Sequence, residues 1–180
     1  MVFCEGEASE PDYIKGLKRL PQVRANTALD IEIDPGVGVP LVLVNRAIDR
    51  LSRDDEVDEC WCVFDVESPR PHPHLAKAMR LAEDRGVRLA VSNPCFELWL
   101  ILHFEERSAF LTTAAAERRS RQLDGRKGKR VDASLYLPRR HEALGRAESL
   151  GRRHSDNETR FPNDNPSSSV GALLTAIEPT

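Results

Sequence analysis

The feature that most constrains the fold is an alternation of short apolar segments with helical segments over residues 1–104. Residues 2–4, 60–64 and 87–91 are short apolar runs, and residues 28–34 alternate between apolar and acidic side chains. Such runs and such a period of two predict strands. The order β-α-β-α-β-α-β-α therefore predicts an α/β fold with a mostly parallel sheet and helices on both faces, because parallel strands need a crossover between them.

Four helices are predicted between and after these strands: about ten residues from Ser9, then 41–51, 75–82 and 95–104. Ser9 with Asp12 three residues later is typical of a capped helix start. Gly86 is expected to end the third helix. The segment Ser92-Asn93-Pro94 is expected to open the fourth, because asparagine caps helices and proline needs no amide hydrogen at the first helical position.

The pattern weakens after residue 104, where we predict a basic, mainly helical extension over residues 105–180. Its expected elements are helices at 109–122, 138–150 and 170–177, a basic loop at 125–130 and a polar loop at 155–169. A chain of 180 residues has the length of one domain. The extension is therefore expected to pack on the α/β core of residues 1–104 within the same domain.

The net charge of −3 hides a marked asymmetry along the chain. Residues 1–104 have 12 Lys/Arg and 18 Asp/Glu, residues 105–154 have 13 and 7, and residues 155–180 have 1 and 4. The three net charges are −6, +6 and −3. A carboxylate site beside a polyanion-binding surface would have this distribution, and so would a solvated arginine-rich helix.

The basic segment is a candidate nucleic-acid-binding surface. Its cations could contact phosphates without sequence preference, or could face an acidic partner or solvent. The candidate residues are Arg118, Arg119, Arg121, Arg126, Lys127, Lys129 and Arg130.

Several classes of protein are disfavoured by motifs that the sequence lacks. The four cysteines lack the paired spacing of a zinc site, and Cys60 and Cys62 fit one face of a buried strand in the reduced state. No phosphate-binding P-loop is present, so any NTP hydrolysis must come from a partner. No apolar run is long enough to cross a membrane and no signal-peptide pattern is present, so we expect a cytoplasmic protein without a membrane partner.

Acidic side chains follow the first and third predicted strands. Glu5-Gly6-Glu7 comes directly after one strand and Asp65-Val66-Glu67 after the other. If these strand ends are neighbours, several carboxylates converge, and a divalent cation would offset their repulsion. Oxygen ligands favour Mg²⁺ or Mn²⁺. The alternative is that these acids are ordinary loop residues in contact with water.

Three other polar features have structural or functional interpretations. Glu97 either interacts favourably with the amino-terminal end of its helix or lies with Asn93 at the rim of the carboxylate cleft. His103 is expected to be a core histidine with satisfied hydrogen bonds. The segment His72-Pro73-His74 is expected to be an exposed loop, because prolines surround it.

Four segments resemble, in chain order, the motifs of the RloB-like family, also called AbiLii-like. They are residues 5–13, 64–67, 92–104 and 165–170. The resemblance covers nearly the whole chain and implies a compact relative of the Toprim fold, which is Rossmann-like. It also implies an origin in bacterial restriction and abortive-infection loci, a link to antiphage defence, and an ATPase partner.

The resemblance to Toprim proteins also implies roles for individual residues. Glu5 would be the glutamate after the first strand, acting as a metal ligand or general acid/base, and Asp65 and Glu67 would hold Mg²⁺. Glu7 would support these ligands or cap the following helix. Glu67 stands where the Toprim pair usually ends in aspartate, so its carboxylate has a longer reach.

Two functions are therefore expected from the sequence. The first is a metal-dependent nuclease that cleaves DNA, RNA or tRNA as the effector of an antiphage system. The alternative is a non-catalytic Toprim-like module that binds a partner ATPase or nucleic acid, which the replacement of aspartate by Glu67 would favour.

Overall fold

The computed structural model, which describes residues 1–33 and 39–178, contains one sheet. Its strands are β1 (Val2–Cys4), β2 (Ile31–Ile33), β3 (Trp61–Asp65), β4 (Arg88–Asn93) and β5 (Ser167–Ser168). Within the described residues the strand order is β2-β1-β3-β4-β5. The first four strands are parallel, and β5 pairs antiparallel with the end of β4. The predicted α/β class with a mostly parallel sheet is confirmed.

Helices cover the sheet. They are α1 (Ser9–Arg19), α2 (Pro21–Asn26), α3 (Pro40–Arg53), α4 (Leu75–Asp84), α5 (Glu97–Leu102), α6 (Thr113–Asp124), α7 (Arg140–Asp156) and α8 (Val170–Ile177), with short 3₁₀ turns at Ala133–Leu135 and Leu137–Arg139. Side chains of α3 and α4 form one apolar core with the sheet, and those of the other α-helices form a second core. In the part of the chain that the structure describes, no helix has the length and apolarity needed to cross a membrane.

Strand β3 is buried because its side chains alternate between the two cores. Trp61 and Val63 belong to the core with α1 and α5, whereas Cys62 and Phe64 belong to the core with α3 and α4. Burial on both faces explains the continuous apolar run in the sequence. All four cysteines are buried and free, and Cys60 and Cys62 belong to the same core, as predicted for one face of a buried strand.

The strand order creates a crevice between β1 and β3. From β1 the chain passes through α1 and α2 to β2 on one side, and then through α3 to β3 on the other side of β1. Where connections leave in opposite directions, the carboxyl ends of neighbouring strands open a crevice in which ligands bind. Cys4 pairs with Val63 in the ladder, so Glu5 and Asp65 follow neighbouring strands at this crevice.

Two predicted helix caps are wrong. Ser9 does not cap α1, whose N-cap is Ala8, and its hydroxyl donates to Oε1 of Glu97 at 3.0 Å instead. Asn93 does not cap α5: it ends β4, and its side chain donates to the carbonyl of Pro162 and to Oδ1 of Asp164. In both cases a tertiary partner takes the side chain that local sequence assigned to a cap.

Other element boundaries also differ from the sequence-based expectation. The predicted strand 28–34 is formed only at Ile31–Ile33, and position 34 lies outside the described residues. Helix α6 begins at Thr113 rather than at 109, because Thr112 accepts a hydrogen bond from the amide of Ala115. Helix α7 continues to Asp156, and β5 lies inside the predicted polar loop.

His103 is a fully buried core histidine. Its Nδ1 lies 2.8 Å from the carbonyl oxygen of Trp99, and its Nε2 lies 3.0 Å from the hydroxyl of Tyr13. A carbonyl only accepts, so Nδ1 carries the proton and Nε2 accepts from Tyr13 in the neutral ring. Burial, which disfavours the charged form, lowers the pKa of His103 from 6.5 to about 4.

We expect His103 to make the folded protein sensitive to acid. Its folded-state pKa is depressed, so between about pH 6.5 and 4 the unfolded chain binds a proton that the folded chain does not, and stability falls as the pH is lowered. The free energy of unfolding in urea should be measured at pH 7 and at pH 4.5. Between these two values it should fall by up to about 3 kcal/mol more in the wild type than in His103→Gln. Parallel losses in the two proteins would contradict a buried neutral His103.

Candidate functional site

A cavity of about 280 Å³ opens at the carboxyl ends of β1 and β3. Its lining carries carboxylates from four parts of the chain, one of them α6, and basic side chains that come mainly from α6 and the loop that follows it. The acidic lining residues are Glu5, Glu7, Glu10, Asp65, Glu67, Glu97 and Glu117, and the basic ones are His72, Arg121, Arg126 and Lys129. The cavity therefore combines the acidic core with part of the basic extension.

Glu5 and Asp65 are joined directly at the crevice. The backbone amide of Asp65 donates to Oε2 of Glu5 at 3.1 Å. The other oxygen of Glu5 lies 2.9 Å from Nε2 of His72, and this contact raises the pKa of His72 by stabilising its protonated form. Glu5 is thus held by one backbone donor and one imidazole.

Asp65 is the least satisfied carboxylate of the cavity. Its Oδ1 is buried and has no hydrogen-bond partner among the described residues. Burial raises the pKa of Asp65 well above 3.8, and repulsion from Glu10, Glu97, Glu5 and Glu67 raises it further. A buried acceptor without a partner, on a residue that lines a polar cavity, is what a bound cation or a donor group on a ligand would satisfy.

Glu67 reaches the cavity by a route that the sequence did not predict. Its backbone has φ of 70°, a left-handed conformation that is uncommon outside glycine, so the segment after β3 is not extended. Thr113 at the start of α6 donates to Oε2 of Glu67 at 2.7 Å and accepts from the amide of Ser68 at 3.0 Å. Asp65 and Glu67 therefore do not lie on one continuous extended segment, although both carboxylates line the cavity.

Glu10 is a cavity residue that the sequence reasoning missed. It is only 6 % exposed, and burial raises its pKa from 4.5 to about 7, against the hydrogen bonds of its own amide and that of Gly6. A Cβ on Gly6 would overlap the Glu10 carboxylate, so glycine makes room for this side chain. Its position in the first turn of α1, within the same motif as Glu5, was the available signal.

Glu97 joins the carboxylate wall to the basic loop. It accepts from the hydroxyl of Ser9 at 3.0 Å and lies 3.5 Å from Nη2 of Arg126. Arg126 is itself almost buried, because Asp124, Ser120 and Tyr136 hold its guanidinium. Asn93, predicted beside Glu97 at the rim, bonds the 162–164 segment and is not among the lining residues.

The predicted basic surface is divided by the structure. Arg121, Arg126 and Lys129 line the cavity. The other four candidates do not: Arg119 pairs with Glu105, Arg130 lies 2.8 Å from Asp12, and Arg118 and Lys127 are exposed. Glu7 is an exposed lining residue and does not cap α1.

The donor set of the cavity suits an oxygen-preferring divalent cation, because its candidate ligands are carboxylates and one oxygen of Asp65 has no partner. Among the residues that the structure describes, no three His, Cys, Asp or Glu side chains form a ready-made metal-binding group. Glu5 and Glu67 each bond a neighbouring side chain, His72 and Thr113 respectively. A metal would therefore replace or share these contacts.

The family follows from a comparison along the whole length of the chain. A model of the RloB-like protein family matches residues 1–177. The chain belongs to the RloB-like protein family. No curated protein and no solved structure matches it. In this RloB-like chain, the first three motifs contribute residues to the cavity, and the fourth pairs β5 with the end of β4.

We expect Asp65→Asn to stabilise the folded protein when no metal is added. Because the folded-state pKa of Asp65 is raised, the unfolded chain loses its proton first, so this carboxyl costs stability as the pH rises above about 4. At pH 8 in EDTA, the free energy of unfolding of the variant, measured in urea, should be about 1–3 kcal/mol higher than that of the wild type.

The matched control is Asp55→Asn, which changes an exposed loop carboxylate. It should leave the free energy of unfolding within about 0.5 kcal/mol of wild type. A destabilised Asp65→Asn would mean that the Asp65 carboxylate has a stabilising partner in the folded protein.

Proposed function

We propose that this RloB-like protein is a divalent-metal-dependent nuclease. The observation that carries the proposal is the shared cavity: Glu5 and Asp65 follow adjacent strands on one wall, and Arg121 and Lys129 line the same space. Carboxylates suit a metal ion, and nearby cations suit the phosphates of a polyanionic substrate. A phosphodiester is a substrate class that suits both.

Several carboxylates would together coordinate Mg²⁺ or Mn²⁺. Glu5, Asp65 and Glu67 are the proposed ligands. Repulsion from the nearby Glu10 carboxylate contributes to the raised pKa of Asp65. When bound, the metal would polarise a phosphoryl oxygen and lower the pKa of a bound water. His72 orients Glu5, and Arg121 and Lys129 would offset the charge of the phosphate.

The strand order supports a Toprim-like arrangement. Toprim proteins use a glutamate after the first strand and an acidic pair after a later strand, and here β1 and β3 are neighbours in the sheet. The longer Glu67, which replaces the usual aspartate, enters the cavity from a left-handed backbone and is held by Thr113. This geometry accounts for the departure from the Toprim pattern.

The biological role that we propose is that of an effector in bacterial antiphage defence, on the basis of the family resemblance. Relatives occur in restriction and abortive-infection loci, often beside an ATPase. The chain has no P-loop of its own, so a separate ATPase would supply any NTP hydrolysis.

We expect Glu5→Gln and Asp65→Asn each to lower metal-dependent cleavage at least about 100-fold, because each removes a charged metal ligand. The assay uses single-stranded DNA, RNA and tRNA with Mg²⁺ or Mn²⁺, with and without an ATPase of the kind found beside relatives. Glu83→Gln, which changes an exposed carboxylate on α4, should cleave like wild type.

The non-catalytic alternative has one observation in its favour, since the oxygens of Glu5 and Glu67 already bond His72 and Thr113. If this alternative is correct, a calorimetric titration should detect no site-specific Mn²⁺ binding in the wild type, and therefore none that Asp65→Asn abolishes. That result, with no cleavage of any substrate, would overturn the nuclease proposal.

Gly6→Ala tests whether the position of Glu10 matters. The added Cβ overlaps the Glu10 carboxylate, which must move, and misplacement by about 1 Å can cost about 100-fold in rate. We expect cleavage to fall at least about tenfold. Gly128→Ala is the matched control, because Gly128 also lines the cavity but its Cβ would meet open space. Equal activity of the two variants would remove Glu10 from the site.

A further inference from the structure

A second, smaller pocket of about 190 Å³ lies between α7 and the segment that leads into α6. Three arginines line it, Arg107 from the segment and Arg146 and Arg153 from α7, together with Ser108 and Ser149. Its lining includes one carboxylate, that of Glu106. The pocket is therefore a positively charged recess with hydroxyl donors at its wall.

The guanidinium groups of this pocket are only partly satisfied. Arg146 is held in place, since its Nη1 donates to the carbonyl of Leu102 at 2.6 Å and its Nη2 to Glu142 at 3.1 Å. The Nε of Arg107 is buried without a hydrogen-bond partner among the described residues. Arg153 is exposed in the last turn of α7. Among the described residues the pocket therefore combines an arginine fixed by two hydrogen bonds, an arginine with an unpartnered Nε and an exposed arginine.

We propose that this pocket binds a phosphate group of a nucleic-acid strand whose scissile bond lies in the carboxylate cavity. The inference rests on the proposed nuclease function and deepens it, because it assigns the substrate a second phosphate contact outside the carboxylate cavity. Guanidinium groups donate two parallel hydrogen bonds to phosphate, and serine hydroxyls add further donors.

The two sites are close enough for one strand to reach both. Thr113, which lines the carboxylate cavity, is six residues after Arg107, and six residues span at most about 20 Å. The ion pair between Glu105 and Arg119 also ties this segment to α6. A strand rises about 3.4 Å per nucleotide, so about six nucleotides bridge the largest possible separation.

The test measures binding of a fluorescein-labelled 12-nucleotide single strand by anisotropy in EDTA, so that no cleavage occurs. Arg153→Glu and Arg107→Glu/Arg153→Glu should bind at least about fivefold more weakly at 50 mM salt. The double variant should also lower the slope of log affinity against log salt by about 0.7, since the pocket would hold one phosphate and each lost phosphate contact removes about 0.7.

Arg152→Glu is the matched control. It makes the same charge change one residue away on α7, at a residue that is also exposed and does not line the pocket. Equal effects of Arg152→Glu and Arg153→Glu would overturn the proposal, because they would show a general charge effect. Thermal unfolding of each variant verifies that it is folded.

Two further measurements separate this inference from the nuclease proposal. Hydrolysis of bis-(p-nitrophenyl) phosphate, which is too small to reach both sites, should be unchanged in Arg107→Glu/Arg153→Glu. Inorganic phosphate should compete with the 12-nucleotide strand for wild type. If phosphate binds at this pocket but the strand's affinity does not depend on Arg153, the pocket holds a free anion and the proposal fails. The binding assay gives its answer even if no substrate is cleaved.

Discussion

The pairing of β1 with β3 is the contact on which the rest of the site depends. β1 has only three residues, yet it lies between β2 and β3 in the sheet, and its pairing of Cys4 with Val63 makes Glu5 and Asp65 neighbours. The amide of Asp65 then donates to Glu5, which links the two strand ends through a side chain. A different neighbour for β1 would leave each acidic cluster as a separate surface loop.

Gathering carboxylates in this cavity has an electrostatic cost that the protein offsets only in part. His72 pairs with Glu5, Thr113 donates to Glu67, and Arg126 lies near Glu97. The remaining repulsion and burial raise the pKa of Asp65 and Glu10. Perturbed acids in a cavity are typical of functional sites, because a protein has little structural reason to retain this cost.

Residues next to apolar strands were the easiest to predict as site residues. Glu5 follows β1, Asp65 ends β3 and Glu67 lies two residues later, so parallel-sheet geometry brings them to one edge. His72 was harder, because its proline-rich segment indicated an exposed loop, whereas its ring contacts Glu5 across the cavity. Glu10 was missed although it lies in the same motif as Glu5, and Thr113 was missed because nothing local at the start of α6 indicates a hydrogen bond to Glu67. For the same reason the basic residues divide into cavity, ion-pair and surface positions.

The sequence by itself determined the α/β class, the buried reduced cysteines and the family, because these depend on periodicity and on motifs that are local in the chain. Only the tertiary structure decided that Ser9 and Asn93 bond distant groups rather than cap helices, and that the basic loop at 125–130 lines the carboxylate cavity. Hydrogen bonds and ion pairs between residues far apart in the chain depend on how helices pack. No local pattern encodes that packing.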